Sequence, residues 1–178
     1  TRSIIEQIPA GRVVSVERET FPGLLANNAV VRGVVDRGYW LDLGTPLAFV
    51  QGSCDLVRGL APSPAVANTG EALVLDGADV AASADVRGGS TIGANAVVSA
   101  GAVVDGSVIF DEAIVGDGSD IRGSIIGRGA RIGDGCSLDG VVVGDGAVVG
   151  ARNEIREGAR VWPQVAIPDL AIRYSSDA

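Results

Sequence analysis

The 178-residue chain contains no histidine, no methionine, only 2 cysteines and few aromatics, 4%. Without an imidazole, His-based general base catalysis, His metal ligation and Ser-His or Cys-His nucleophilic arrangements are excluded within this polypeptide. Cys54 and Cys136 lie far apart, with neither zinc-motif spacing nor a disulfide framework, which points to a reducing, cytoplasmic setting. Basic charge is scarce as well: 14 Lys plus Arg face 22 Asp plus Glu, a net charge of -8. With no basic run, neither nucleic acid nor an anionic membrane surface is an expected partner. No apolar run approaches the roughly 18 residues of a membrane span, and no signal-peptide pattern is present. The chain opens Thr1-Arg2-Ser3 and has no Met, so it is expected to be a piece of a longer protein. What is abundant is hydrophobic residues, 47%, and glycine, 26 residues. The length fits one or two globular domains with a sizeable core.

From Val80 onward the sequence repeats. Apolar residues recur with steps of six, six and five, giving a 17-residue period and three aliphatic columns. These are Ile92, Ile109, Ile126 and Val143; Val98, Val115, Ile132 and Val149; and Val104, Ile121, Leu138 and Ile155. A fourth column holds only alanine, at Ala96, Ala113, Ala130 and Ala147, where only a small side chain fits. A step near six matches neither the 3.6 period of a helix nor the alternation of a simple strand. It matches short strands separated by turns, three to a coil, with coils stacked at the interstrand spacing of roughly 4.8 Å. Gly93, Gly116, Gly127, Gly133 and Gly144 follow column residues, where positive φ or close backbone approach is expected.

The hexads "IGRGAR", "IGDGCS" and "VGDGAV" resemble the hexapeptide repeat of left-handed parallel β-helices over roughly residues 73 to 165. The left hand is what the resemblance implies, because parallel crossovers are otherwise right-handed. "GRGARIG" and "GDGAVVG" are similar to phosphate-binding loops, yet each is a turn followed by a strand, with no helix for a phosphate to sit against. Asp117 and Asp134 stack at one corner in this register. Two carboxylates make a poor Ca2+ cage, and Asp is a common turn residue. Cys136 reads as a small, buried, inert side chain, whereas a buried Asn153 needs a backbone partner or marks a distortion.

The first sixty residues differ. "SIIEQIP" reads as a helix end stopped by Pro9, and "SVERETFPGLLAN" as a short helix opened by Ser15. "AVVRGVV" and "YWLDLG" flank the turn signal Asp36-Arg37-Gly38 and read as two strands. Thr45 caps a helix with Pro46 at its first position, Leu47, Val50, Cys54 and Val57 on one face, and Gly59 at its end. "APSPAVANTG" reads as a linker. The expected organisation is therefore an incomplete α/β piece over 1–60, a linker at 61–72, the β-helix over 73–165 and a tail at 166–178.

"IPAGRVVSVERETFPGLL", "GYWLDLGTP", "GSCDLVRG" and the tail "VWPQVAIPDLAIRYSSDA" closely resemble bacterial sugar-1-phosphate nucleotidyltransferases, especially mannose-1-phosphate guanylyltransferases of actinobacterial type. The resemblance implies a Rossmann-like domain followed by a left-handed β-helix. It implies transfer of a nucleotidyl group from GTP, or another NTP, to a sugar 1-phosphate with release of pyrophosphate. Mg2+ would neutralise the phosphates. By the same resemblance Asp42 is a metal ligand and Trp40 lines the sugar-phosphate pocket. Read from the residues alone, Asp42 could equally fix the "LGTP" turn, and Tyr39 and Trp40 could be core aromatics. The family's nucleotide loop, its first metal Asp and its sugar-binding Glu and Lys belong to an upstream region absent here, so this chain alone should not be catalytic.

A hexapeptide-repeat acyltransferase or a β-helix carbonic anhydrase would need His, and there is none. The non-enzyme alternative is an assembly or regulatory module. In either case the β-helix is expected to support homo-oligomer formation, with Trp162 and Tyr174 in a tail that covers its C-terminal end.

Overall fold

The computed structural model describes residues 2–66, 70–156 and 158–173. The chain divides into two compact units, Thr1–Gly38 and Tyr39–Ala178.

In the first unit, helix α1 (Arg2–Ile5) is followed by a π-helical turn (Val16–Thr20) that runs into α2 (Phe21–Ala26). Ser15 opens that turn as expected. Its Oγ accepts the Arg18 N–H at 3.1 Å, and its own N–H donates to Glu19 Oε1 at 3.2 Å, so two end groups are satisfied reciprocally. The turn at Asp36 also forms, with Oδ1 accepting the Gly38 N–H at 2.8 Å. The two strands expected around it do not: neither "AVVRGVV" nor "YWLDLG" joins a ladder. An isolated two-stranded ribbon is marginal in water, and neither segment finds a sheet edge. Val30, Val34 and Val35 stay largely exposed as a result.

The second unit is dominated by a parallel β-helix of 17 short strands among the described residues, Ala72–Val74 to Ala166–Ile167. They form three sheets of six, six and five strands, and each strand pairs with the one three positions along the chain. The first sheet stacks Ala72–Val74, Ser90–Ile92, Val108–Ile109, Ile125–Ile126, Val142–Val143 and Arg160–Val161. Its register puts Ile92 on Ile109, Ile109 on Ile126 and Ile126 on Val143. The other two columns pair as their spacing demands, Val98 through Val149 and Val104 through Ile155. Every column member is buried, and the four alanines are wholly so. The core is thus a set of aliphatic ladders, each coil covering its neighbour's apolar surface. One more residue enters the coil where Val74 pairs with Ile92 and again where Val143 pairs with Val161.

The turns use glycine in two ways. Gly127 has no positive φ; a Cβ there would lie 2.7 Å from the Asp145 nitrogen in the next coil, so it permits close approach. Gly129, two residues on, takes the left-handed conformation at φ 61°. Between them sits the corner residue, and the aspartates found there bind backbone. Asp117 Oδ1 accepts the Ala100 N–H and Asp134 Oδ1 the Asp117 N–H, each at 3.0 Å. The two acids stack at one corner, as the spacing predicts, with a carboxylate oxygen tied to the coil before. A buried serine ladder runs along another corner: the Ser107 N–H donates to Ser90 Oγ, Ser124 to Ser107 and Val141 to Ser124.

At the C-terminal end, buried Asn153 has the backbone partners it requires. Its Nδ2 donates to the Gly150 and Pro168 carbonyls at 2.8 and 2.9 Å, and its Oδ1 accepts the Ile172 N–H at 2.7 Å. This bond, with that from the Glu154 N–H to the Ile172 carbonyl, covers the edge of the third sheet. Trp162 is 73% exposed and does not serve as a cover; Tyr174 lies outside the described residues.

Candidate functional site

The site begins with helix α3 (Pro46–Arg58), whose ends are those its sequence specifies. Thr45 Oγ1 accepts the Ala48 N–H at 3.2 Å, Pro46 occupies the first turn, and Gly59 closes the helix at φ 77°. Val50, Cys54 and Val57 are buried, while Leu47, expected on the same face, is exposed. Leu47 instead lines a cleft of about 290 Å³ with Ile125 and Val142.

Helix α3 lies directly on the β-helix. A Cβ on Gly89, which already has φ 80°, would come within 2.9 Å of Cys54 Cα. Only glycine lets the two backbones meet there. Phe49 stacks on Phe110 with centroids 6.4 Å apart and planes 9° from parallel. Burial in this contact pushes the Cys54 thiol up, as burial in the core does for Cys136. Both cysteines are free.

Across the helix runs the segment Tyr39–Gly44, and alternate residues of it touch α3. Tyr39 donates its hydroxyl to Asp55 Oδ2 at 2.7 Å, and Gln51 Nε2 donates to Asp55 Oδ1 at 2.8 Å. A Cβ on Gly52 would lie 2.7 Å from Leu43 and 3.4 Å from Leu41, so this mid-helix glycine gives the segment room. Asp55 is only 7% exposed, and its two donors satisfy a carboxylate that would be costly to bury unpaired. The bond to Asp55 holds the Tyr39 phenol above its ordinary range, so it keeps its proton and remains the donor.

The residues in between are the two that the sequence marks. Trp40 is 83% exposed, so it is not packed into the core of the described residues. Asp42 is exposed, and its Oδ1 accepts the Gly44 N–H at 3.1 Å. That bond fixes the turn into α3 and leaves Oδ2 with no partner among the described residues. The carboxylate therefore fits a single-ligand role toward a hard cation. Mg2+ commonly takes one or two carboxylates and fills its shell with phosphate oxygens and water. A full protein cage is not formed: the described residues contain no group of three or more His, Cys, Asp or Glu that could hold a metal ion.

Residues 68–176 match the family described as the GMPPB C-terminal domain. The chain belongs to this family. A mannose-1-phosphate guanylyltransferase of Mycobacterium tuberculosis is 56% identical over 99% of the chain. The chain spans about half of that curated relative's length, 50%. Among solved structures, a perosamine N-acetyltransferase of Caulobacter crescentus is similar over 88% of this chain and 90% of its own, with 20% identity and a TM-score of 0.48. A GDP-perosamine N-acetyltransferase from the same organism is similar over 61% of this chain and 55% of its own, with 24% identity and a TM-score of 0.44.

Within this member of the GMPPB C-terminal domain family, the sequence marks Trp40 and Asp42 as candidates but does not name the contacts that hold their segment on α3. The Gln51–Asp55 pair at i, i+4 was a visible signal, as was the mid-helix Gly52. No helix among the described residues is long and apolar enough to cross a membrane.

Proposed function

We propose that this chain is the C-terminal part of a sugar-1-phosphate nucleotidyltransferase that makes GDP-mannose from GTP and mannose 1-phosphate and releases pyrophosphate. The 56% identity across nearly the whole chain to a mannose-1-phosphate guanylyltransferase carries this reading. The site supports it: Asp42 offers an unpartnered carboxylate oxygen beside exposed Trp40, with the turn below them fixed by the Gly44 N–H. Asp42 would be one ligand of Mg2+, and Trp40 would line the sugar-phosphate pocket. When bound, Mg2+ would supply neutralisation of phosphate charge. The remaining nucleotide- and sugar-reading groups would come from the region upstream of Thr1, so the 178-residue chain would be inactive alone. The β-helix would serve as scaffold and self-association surface, and the enzyme would work in the cytoplasm.

The test is Asp42→Asn in the complete protein. Asn keeps the shape and can still accept the Gly44 N–H, but it lacks the charge. Turnover should fall by a factor of about 100 or more, the scale on which a transition-state contact is lost, while thermal melting stays nearly unchanged. Near-normal pyrophosphate release at limiting Mg2+ would leave Asp42 with only its turn.

A further inference from the structure

Asp42 lies in a segment that belongs to no sheet, yet a metal ligand has to be held still. Two sets of contacts hold this one. Nearer to it, the Tyr39 hydroxyl and Gln51 amide meet on buried Asp55, Leu41 and Leu43 pass over Gly52, and Thr45 caps α3. Beneath these, α3 is seated on the β-helix by the Gly89–Cys54 approach and the Phe49–Phe110 stack. The Gly70 N–H also donates to the Val57 carbonyl at 2.9 Å, tying the last turn of α3 to the start of the first coil.

We propose that Asp55 and Tyr39 are positioning residues for the Asp42 carboxylate, and that through α3 the β-helix is the rigid base of the metal site. The proposal rests on the reading of Asp42 as a metal ligand. Its physical ground is that a buried carboxylate needs partners. Asp55 draws them from α3 itself, through Gln51, and from the segment that carries Asp42, through Tyr39. The Tyr39 ring is nearly half exposed at 45%, so Tyr39→Phe keeps most of the ring's packing and takes from buried Asp55 one of its two side-chain donors. Groups that orient a metal ligand typically affect metal affinity by about 10- to 100-fold.

The experiment measures Mn2+ binding by the complete protein in the presence of GTP, from the loss of the free-ion electron paramagnetic resonance signal beyond that caused by the same GTP without protein. The variants are Tyr39→Phe, Asp42→Asn and the two combined. Hydrogen exchange of the amides at 39–44 and thermal melting are followed on each. Tyr39→Phe is expected to weaken Mn2+ binding by about tenfold, to speed exchange at 39–44 and to lower the melting midpoint by about a few degrees with the transition still cooperative. In the Asp42→Asn background it should weaken Mn2+ binding no further, because the ligand it positions is gone. Wild-type Mn2+ binding by Tyr39→Phe, with binding lost in Asp42→Asn, overturns the positioning role and spares the metal reading. Equal weakening by Tyr39→Phe in both backgrounds also overturns it, since the effect would not pass through Asp42. Wild-type Mn2+ binding by Asp42→Asn overturns the metal reading and this proposal together. A fall in the melting midpoint with Mn2+ binding unaltered assigns the Tyr39 bond to stability alone and overturns the proposal.

Discussion

At the residue scale, polar side chains inside the β-helix act as donors and acceptors for the backbone at places where the coil cannot satisfy itself. Asn153 serves three backbone groups at once, and its amide nitrogen faces two carbonyls. Asn153→Asp would set carboxylate oxygen against both carbonyls in a fully buried position. The variant should lose about 3 kcal/mol of stability or more, the cost of burying a charge whose second oxygen faces carbonyls and has no donor. Denaturant unfolding measures this directly; an unchanged midpoint would mean that the amide is not paired as described. The need for a partner at Asn153 is legible in the sequence, because the column it shares with Ala102, Ser119 and Cys136 points inward. The identity of the partner is not, since Pro168 and Ile172 come from a tail with no repeat to place them. Asp42 illustrates the same limit. Its neighbourhood with Trp40 can be read off "YWLDLG", whereas the Tyr39–Asp55 bond joins residues that only the docking of α3 brings together.

At the element scale, the repeat encodes tertiary register. In most folds, strand pairing depends on distant residues that a local pattern does not name. Here the neighbour of each strand is one period away, so the 17-residue spacing already specifies that Ile109, Ile126 and Val143 are stacked. Ile126→Asp would bury an unpaired carboxylate between two aliphatic side chains and should cost more than about 3 kcal/mol. Loss of the cooperative melting transition, or a large drop in its midpoint, is the expected outcome; wild-type melting would contradict the register. The same logic explains where reading by pattern fails. "AVVRGVV" and "YWLDLG" have strand composition but no repeat to supply a neighbour, and neither joins a ladder. Leu47 has the spacing of the buried face of α3, yet the first turn lies along a cleft and the side chain stays exposed. The serine ladder of Ser90, Ser107 and Ser124 carried the full 17-residue signal and was legible in principle. A search for apolar columns alone passes over it.

At the scale of the whole molecule, Tyr39–Gly44 and helix α3 fall in the same compact unit as the β-helix. The two candidate site residues are therefore attached to the most regular part of the chain, on the segment that crosses α3. On the proposed reading, Asp42 supplies one metal ligand and the other groups of the reaction come from the rest of the complete protein. That this chain completes a guanylyltransferase without being one by itself is our proposal, tested by pyrophosphate release from GTP and mannose 1-phosphate with Mg2+. It should be measured on the complete protein and on the 178-residue chain, with far-ultraviolet circular dichroism to verify that the isolated β-helix is folded. Release by the complete protein and none by the folded 178-residue chain is the expected result. Release by that chain alone, or none by the complete protein, would contradict it.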